Sequence, residues 1–461
     1  MTYDVVIVGA GPAGIFAAME LAEAGLGRKT VILEKGNPID KRNCPLQKGR
    51  SACARCPSCS VTSGWGGAGA FSDGKLTLTG EVGGSLDQYV GEDGLPALIK
   101  AVDGTYRRYG APEKVYGVDH AEEVREMVEK AELNQLKLVP VPIRHLGTGR
   151  SGEILERMHG YLTGKGVEVR TGCQVESILV EDGRAAGVLT AGGEVIRGRY
   201  VVIAPGREGS DWLRREAGRL GLALRANPVD IGVRVEVPGS ILENLTRIFY
   251  ESKLIYYSKA FDDKVRTFCM NPYGAVVMEN NDGLITVNGH THAYHKTKNT
   301  NFAVLVSKNF TEPFDNPIAY GRYIASLANL LGGGVIVQRL GDLLAGQRST
   351  VDRMGKCLTV PTLKEATPGD LSLVFPYRHL VSIVEILKAL DGLAPGVFSR
   401  YTLLYGVEVK FYSSRLELGS GLETRIENLF AAGDGAGVTR GLVQASASGL
   451  VVAREILRRA G

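Results

Sequence analysis

The segment Tyr3-Asp4-Val5-Val6-Ile7-Val8-Gly9-Ala10-Gly11-Pro12-Ala13-Gly14 begins as an unbroken apolar run and ends on three spaced glycines. An apolar run without polar alternation suits a strand buried on both faces, the habit of parallel sheets. Ile15 to Ala24 then reads as a helix stopped by Gly25. A second strand, Thr30 to Leu33, ends at Glu34, 20 residues past Gly14. Strand, Gly-x-Gly-x-x-Gly turn, helix, strand and acid together imply a dinucleotide site. Gly9 permits the tight turn, Gly11 the approach of a diphosphate, and Gly14 close helix–strand packing. The helix start supplies free N–H groups and partial positive charge. Gly9, Gly11, Pro12, Ala13, Gly14, Glu34 and the adjoining Lys35 are the candidate contacts. A glycine-rich turn without a ligand is the alternative, and the acid at the expected offset weighs against it.

Working outward, Asn428-Leu429-Phe430-Ala431-Ala432-Gly433-Asp434-Gly435 is a short strand ending in Gly-Asp. After Gly441 comes an apolar helix, Leu442 to Leu457. This resembles the second FAD-binding motif of glutathione-reductase-like flavoproteins. The resemblance implies that Asp434 holds the ribityl hydroxyls and that N–H groups near Gly441, Leu442 and Val443 face the flavin. Gly166 to Val175 is similar to the strand whose backbone reads the adenine, with Val175 as the contact. Tyr200 to Gly206 is similar to the strand that returns to the cofactor after a β-meander (Ser177 to Arg199), bringing Ala204 and Gly206. No second full Gly-x-Gly-x-x-Gly stands in such a context, so a separate nicotinamide-nucleotide domain is not expected.

A third glycine-rich segment, GWGGAGAFSDGKLT (residues 64–77), follows the second strand. Its small residues let the main chain lie along a ligand, with Gly67, Ala68 and Ser72 as candidate contacts. With the Gly-Asp motif and Phe268-Cys269-Met270-Asn271-Pro272, it resembles a family of uncharacterised FAD-dependent dehydrogenases along most of the chain. This implies flavin chemistry without naming a substrate.

Just before this loop stand Cys44, Cys53, Cys56 and Cys59, a C-x8-C-x2-C-x2-C spacing. The two consecutive x2 gaps resemble the ferredoxin-type run that wraps a [4Fe–4S] cluster. Structural zinc and a metal-free redox set remain alternatives. A cluster here would pass electrons to FAD from a ferredoxin-like donor.

Composition bounds these readings. Fifty-four basic against 50 acidic residues leave a net charge of +4 on 461 residues. That gives no nucleic-acid footprint. No run of 18 apolar residues marks a membrane span, no signal peptide is read, and a cytoplasmic location is expected. The expected fold is α/β: a Rossmann-like FAD-binding domain (parallel sheet with β-meander) plus an inserted mixed α+β substrate domain. The FAD-binding parts are expected at 1–80 (with the cysteine cluster), 151–212 and 405–461. A helical segment is expected at 81–150 and the substrate or cap domain at 213–404. Within the latter, His290 and His292 are candidate acid–base residues, with a hydrogen-bonded surface loop as the plain alternative. His379, after Phe375-Pro376-Tyr377-Arg378, is a weaker candidate beside Tyr and Arg groups suited to an anionic substrate. The expected function is an FAD-dependent oxidoreductase acting on a small molecule. The rivals are an RNA-modifying flavoprotein and a flavin/thiol redox sensor with structural zinc. The substrate and oligomeric state are not legible.

Overall fold

The computed structural model describes residues 2–460 except 45–55, 57, 73, 92, 120, 148–149, 226, 250, 282, 292–295, 309, 311–315 and 411–414. The chain forms two compact units. The first comprises Met1–Lys114, Arg144–Asn227 and Tyr412–Gly461, the second Val115–Ile143 and Pro228–Phe411.

In the first unit, Thr2–Val8 lies between Thr30–Glu34 and Val195–Ile203, parallel to both. Glu168–Thr171 extends the sheet parallel to Thr30–Glu34. Leu429–Ala431 pairs in parallel with the end of Val195–Ile203. Val175–Glu181, Arg184–Thr190 and Val195–Ile203 form the antiparallel meander. The register aligns Val8 with Leu33 and Ile203, and Ile203 with Ala431. All four strands therefore release their chains at one edge of the sheet, the edge where ligands bind in open parallel sheets. Val5, Val6, Ile7, Val31 and Ile32 are fully buried, which is why these strands lack polar alternation. The opening helix, Pro12–Glu23, and the closing helix, Leu442–Ala460, pack closely. A Cβ on Gly449 would sit 2.1 Å from the Ala13 carbonyl oxygen.

The second unit is built on an eight-stranded, mostly antiparallel sheet. Its order is Thr367–Pro368, Ile336–Arg339, Leu403–Lys410, Val229–Pro238, Asn299–Lys308, Lys264–Asn271, Lys253–Tyr257 and Lys137–Val139. Helices Pro317–Gly332 and Tyr377–Leu393 share one apolar core with it through Ile324, Ala325, Ala328, Ile383, Ile386 and Leu387. Ala275–Asn281 and Leu284–His290 form a separate hairpin.

The units divide at 227/228 and 411/412, later than the expected 212/213 and 404/405. Leu213 and Ala217 are buried in the first core, and Leu224–Arg225 pairs with Arg415–Leu416. The expected helical segment 81–150 is split. Gly94–Arg108 is a helix of the first unit, whereas Lys137–Val139 pairs with Lys253–Tyr257 in the second.

Candidate cofactor site

The first turn of the opening helix collects three segments that are far apart in sequence. Gly9 has φ +104° and leaves no room for a side chain, since a Cβ there would meet the Ala204 carbonyl oxygen at 2.1 Å. From the 64–77 loop, a Cβ on Gly67 would lie 3.0 Å from the Gly11 Cα, and the Gly66 N–H donates to the Ala10 carbonyl at 2.8 Å. From the Gly-Asp motif, a Cβ on Gly433 would lie 3.1 Å from the Ala13 Cβ. A Cβ on Gly435 would meet the Gly206 carbonyl oxygen at 2.5 Å, and one on Gly69 would meet Leu442 Cδ2 at 2.6 Å.

Gly11 differs from these. Its backbone (φ −79°, ψ −178°) suits any residue, and a Cβ there would meet nothing within 4 Å. Neither strain nor packing requires glycine, so the open space beside it is the feature that fits a close-approaching diphosphate. Gly11 is also the N-cap of the helix, Pro12 occupies the first turn, and no side chain caps it. The first-turn N–H groups have no intrahelical partner and sit at the positive end of the helix dipole.

Glu34 is 6% exposed at the end of its strand. Its Oε1 accepts from Gly36 N at 2.8 Å and Gly64 N at 2.9 Å, and its Oε2 accepts from Ala10 N at 2.9 Å. A carboxylate has about four acceptor positions, so one remains for a ribose hydroxyl. Asp434 Oδ1 accepts from Thr439 Oγ1 at 2.8 Å and Gly441 N at 3.2 Å. Its Oδ2 lies 3.6 Å from Arg207 Nε. Burial pushes the Asp434 carboxyl up, against the opposing pull of Arg207 and Thr439. The donor set, the uncapped helix start and the open space at Gly11 fit FAD.

The other expected contacts have these surroundings. Lys35 pairs with Glu208. Ser72 closes its own turn, donating to the Gly69 carbonyl at 2.9 Å and accepting from Gly74 N at 3.2 Å. Val175 is a buried residue of the meander paired with Thr190. The backbone that meets the Glu34 strand end belongs to Gly172 and Cys173, whose N–H groups donate to Gly36 O and Glu34 O at 2.9 Å each. Ala68 and Val443 follow Gly67 and Leu442 directly.

Cys44 and Cys59 are half-buried and Cys56 is exposed. Cys53 lies outside the described residues. Among the described residues no three His, Cys, Asp or Glu side chains converge as a metal site. Arg42, which the sequence gave no reason to single out, is the polar anchor here. It is 4% exposed, and burial pushes its guanidinium down to about 10.

The second unit holds a different cluster. Arg234 and Glu408 are both 0% exposed and form a two-pronged pair, Nε to Oε2 at 2.8 Å and Nη2 to Oε1 at 2.7 Å. The same guanidinium donates to Cys269 O at 2.7 Å, to Asn288 Oδ1 at 3.0 Å, and to Asn271 and Asn301 Oδ1 at 3.3 Å each. It thus fixes Cys269, which has φ +44°, in the left-handed region uncommon for a side-chain residue. His290 ends the neighbouring hairpin strand, half-buried; His292 lies outside the described residues.

Arg378 is spent on Asp263, with bonds of 2.7 Å from both Nε and Nη2. His379 is 2% exposed in the second core, and neither ring nitrogen has a hydrogen-bond partner in the described residues. The pair is therefore built into the packing of this unit. Burial, aided by Lys308 and Arg378 and opposed by Asp263, pushes the imidazole down to about 4 from 6.5. Between those values the unfolded chain binds a proton that the folded chain refuses. Stability on this account is full above pH 6.5 and falls as pH drops towards 4, by about 3 kcal/mol. His379→Leu should flatten the pH dependence of unfolding across that window. An unchanged slope in denaturant titrations would show that another group titrates there.

Comparison with known proteins gives three family matches. The family described as FAD-dependent protein, C-terminal domain-like, matches residues 228–411. An FAD binding domain family matches residues 4–41, and glucose inhibited division protein A matches residues 364–461. An uncharacterised protein of Clostridium beijerinckii is 28% identical, over 98% of this chain and 80% of its own. Among solved structures, the 3-ketosteroid-Δ4-(5α)-dehydrogenase of Rhodococcus jostii RHA1 is 15% identical (TM-score 0.44, 99% of this chain, 96% of that one). The formate oxidase of Aspergillus oryzae RIB40 is 12% identical (TM-score 0.46, 99% and 98%). The L-proline dehydrogenase of P. horikoshii is 13% identical (TM-score 0.40, 99% and 94%).

Proposed function

We propose that this chain, which matches the FAD-dependent protein, C-terminal domain-like family over residues 228–411 and an FAD binding domain family over residues 4–41, is an oxidoreductase that oxidises or reduces a small molecule on FAD held by the first unit. The observation that carries the reading is the meeting of residues 9–14, 64–69 and 433–442 at one helix start. In this reading the first-turn N–H groups of Ala13 and Gly14 hold the diphosphate. Glu34 accepts a ribose hydroxyl, and Asp434, aimed by Thr439 and the Gly441 N–H, takes the ribityl chain. Bound FAD would supply hydride or two-electron transfer; the protein supplies placement through the glycine segments, Glu34 and Asp434. His290 and His292 are the proposed proton-handling residues toward substrate, on the strength of their i, i+2 spacing in the sequence, which an extended chain would place on one side.

The finer electron route is a [4Fe–4S] cluster, or zinc in its place, on Cys44, Cys53, Cys56 and Cys59, fed by a ferredoxin-like donor. Cysteine spacing supports it, together with the lack of a second dinucleotide fingerprint in the sequence. The described cysteines do not by themselves assemble a site, so no electron step is drawn through them. The test is the visible spectrum of anaerobically purified protein, with iron, zinc and acid-labile sulfide measured on the same sample. Flavin bands plus about four irons and matching sulfide per chain are the expected outcome. Flavin with zinc or without metal removes the relay and leaves the oxidoreductase. Absence of flavin, with no uptake of added FAD, removes the whole reading.

A further inference from the structure

Arg42 stands eight residues past Glu34 and two before Cys44. It makes no ion pair among the described residues and spends its guanidinium on main chain. Nε donates to Ser60 O and Nη2 to Val61 O, both at 2.9 Å. Nη1 donates to Trp65 O at 2.7 Å and Gly67 O at 2.8 Å. One cation thus grips two carbonyls just after Cys59 and two in the glycine loop. The guanidinium also lies 4.8 Å over the Phe71 ring, and a Cβ on Gly64 would come within 2.7 Å of Arg42 Cδ.

The grip has a directional result. A trans peptide points its C=O and the following N–H in opposite directions. Drawing the Trp65 carbonyl to Arg42 turns the Gly66 N–H away, and that N–H is the one bonded to Ala10 O in the fingerprint turn at 2.8 Å. Drawing in the Gly67 carbonyl likewise turns the Ala68 N–H away from the guanidinium. Gly67 is the residue that lies against Gly11. On the other side, the Cys59 carbonyl accepts from Thr62 N at 3.1 Å and Ser63 N at 2.8 Å, which ties the thiol's own backbone to the gripped turn.

We propose that Arg42 is a positioning residue that fastens the Ser60–Val61 turn after Cys59 to the glycine loop at Trp65–Gly67, so that FAD binding and the chemical state of Cys59 are coupled. The proposal rests on the FAD reading above. Coupling of this kind acts in both directions: if FAD binding shields Cys59, a group attached to Cys59 opposes FAD binding. Lysine retains the charge at residue 42 but presents a compact ammonium with three donors, not a planar fork.

The test uses full-length protein stripped of flavin and titrated with FAD, read by quenching of tryptophan emission; Trp65, 1% exposed, sits in the gripped loop. Arg42→Lys should weaken FAD binding about 10- to 100-fold, the loss expected for charged hydrogen bonds left unmade. In wild-type protein stripped of any bound metal as well as of flavin, saturating FAD should slow alkylation of Cys59 by N-ethylmaleimide, followed by mass spectrometry. Alkylated wild-type protein should then bind FAD more weakly than the unmodified protein. In Arg42→Lys that protection should disappear. The wild-type pair of measurements stands even if the variant does not fold. FAD affinity within threefold of wild type in folded Arg42→Lys, or a Cys59 alkylation rate indifferent to FAD, overturns the proposal. Wild-type protein that takes up no FAD overturns the cofactor reading instead.

Discussion

Gly11→Asp should leave the flavin-free protein as stable as wild type or slightly more so, while lowering its FAD affinity about 1000-fold. The two halves of this result have separate causes. Gly11 is the N-cap of Pro12–Glu23 with an extended backbone, and no side chain caps that helix. Aspartate is among the best N-cap residues, and its charge favours the positive helix end, together worth about 0.5–1 kcal/mol. The space it would enter is open, with nothing within 4 Å of the added Cβ. Once the diphosphate arrives, that space is contested by a carboxylate, and a like-charge contact costs several kcal/mol, on the order of 1000-fold. Differential scanning calorimetry on the flavin-free protein and an FAD titration on the same preparation separate the two. Gly9→Ala makes the contrast. Its Cβ would lie 2.1 Å from the Ala204 carbonyl oxygen at φ +104°, so the flavin-free protein itself should lose stability. If Gly11→Asp binds FAD normally, the diphosphate does not pass beside Gly11.

The largest stability effect belongs to the second unit. Glu408→Ala should cost about 3–5 kcal/mol, because it strands a fully buried guanidinium without its counter-charge. Lys410, 3.0 Å from the same carboxylate, loses its partner too. Denaturant unfolding followed in the second unit would read the change. Arg234→Met combined with Glu408→Leu should recover only part of it. Removing both charges ends the electrostatic penalty, but the Cys269 carbonyl and the Asn271, Asn288 and Asn301 side-chain oxygens then lose their shared donor. Full recovery in the double variant would mean that those four acceptors find other partners and that Arg234 does not hold the Cys269 turn.

The sequence made the first unit legible for a physical reason. Its site is assembled from main chain, and main-chain geometry leaves its trace as glycine spacing. The fingerprint, the strand Thr30–Glu34, the meander and the closing helix were all readable, because burial on both faces and tight turns restrict residue choice locally. Val229–Val237 alternates apolar with polar or small residues, the pattern of a strand with one buried face. Its alternation also placed Asp230, Arg234 and Glu236 on one face, where a sequence reading expects solvent. The structure buries that face as well. The partner that makes burial tolerable, Glu408, lies 174 residues away, and no local pattern announces it. Arg42 escaped notice for a related reason: its acceptors are four carbonyls, which every residue has. His379 looked suited to an active site because of Tyr377 and Arg378 beside it. Helical spacing instead turns it into the core while Arg378 reaches Asp263.

The sheet of the first unit also sets an order of events during synthesis. Its fingerprint turn is made before the Gly433–Leu442 segment that completes the cradle, which is translated about 420 residues later. At roughly 5–20 residues per second this is a wait of roughly 20–80 s. Throughout it, the side of Pro12–Glu23 that will receive the closing helix at Ala13 and Ala17 has no mate. FAD cannot be fully enclosed on the ribosome before that stretch appears. Until then the site is lined only by residues 9–14 and 64–69, so its closure waits on the segment translated last of the three.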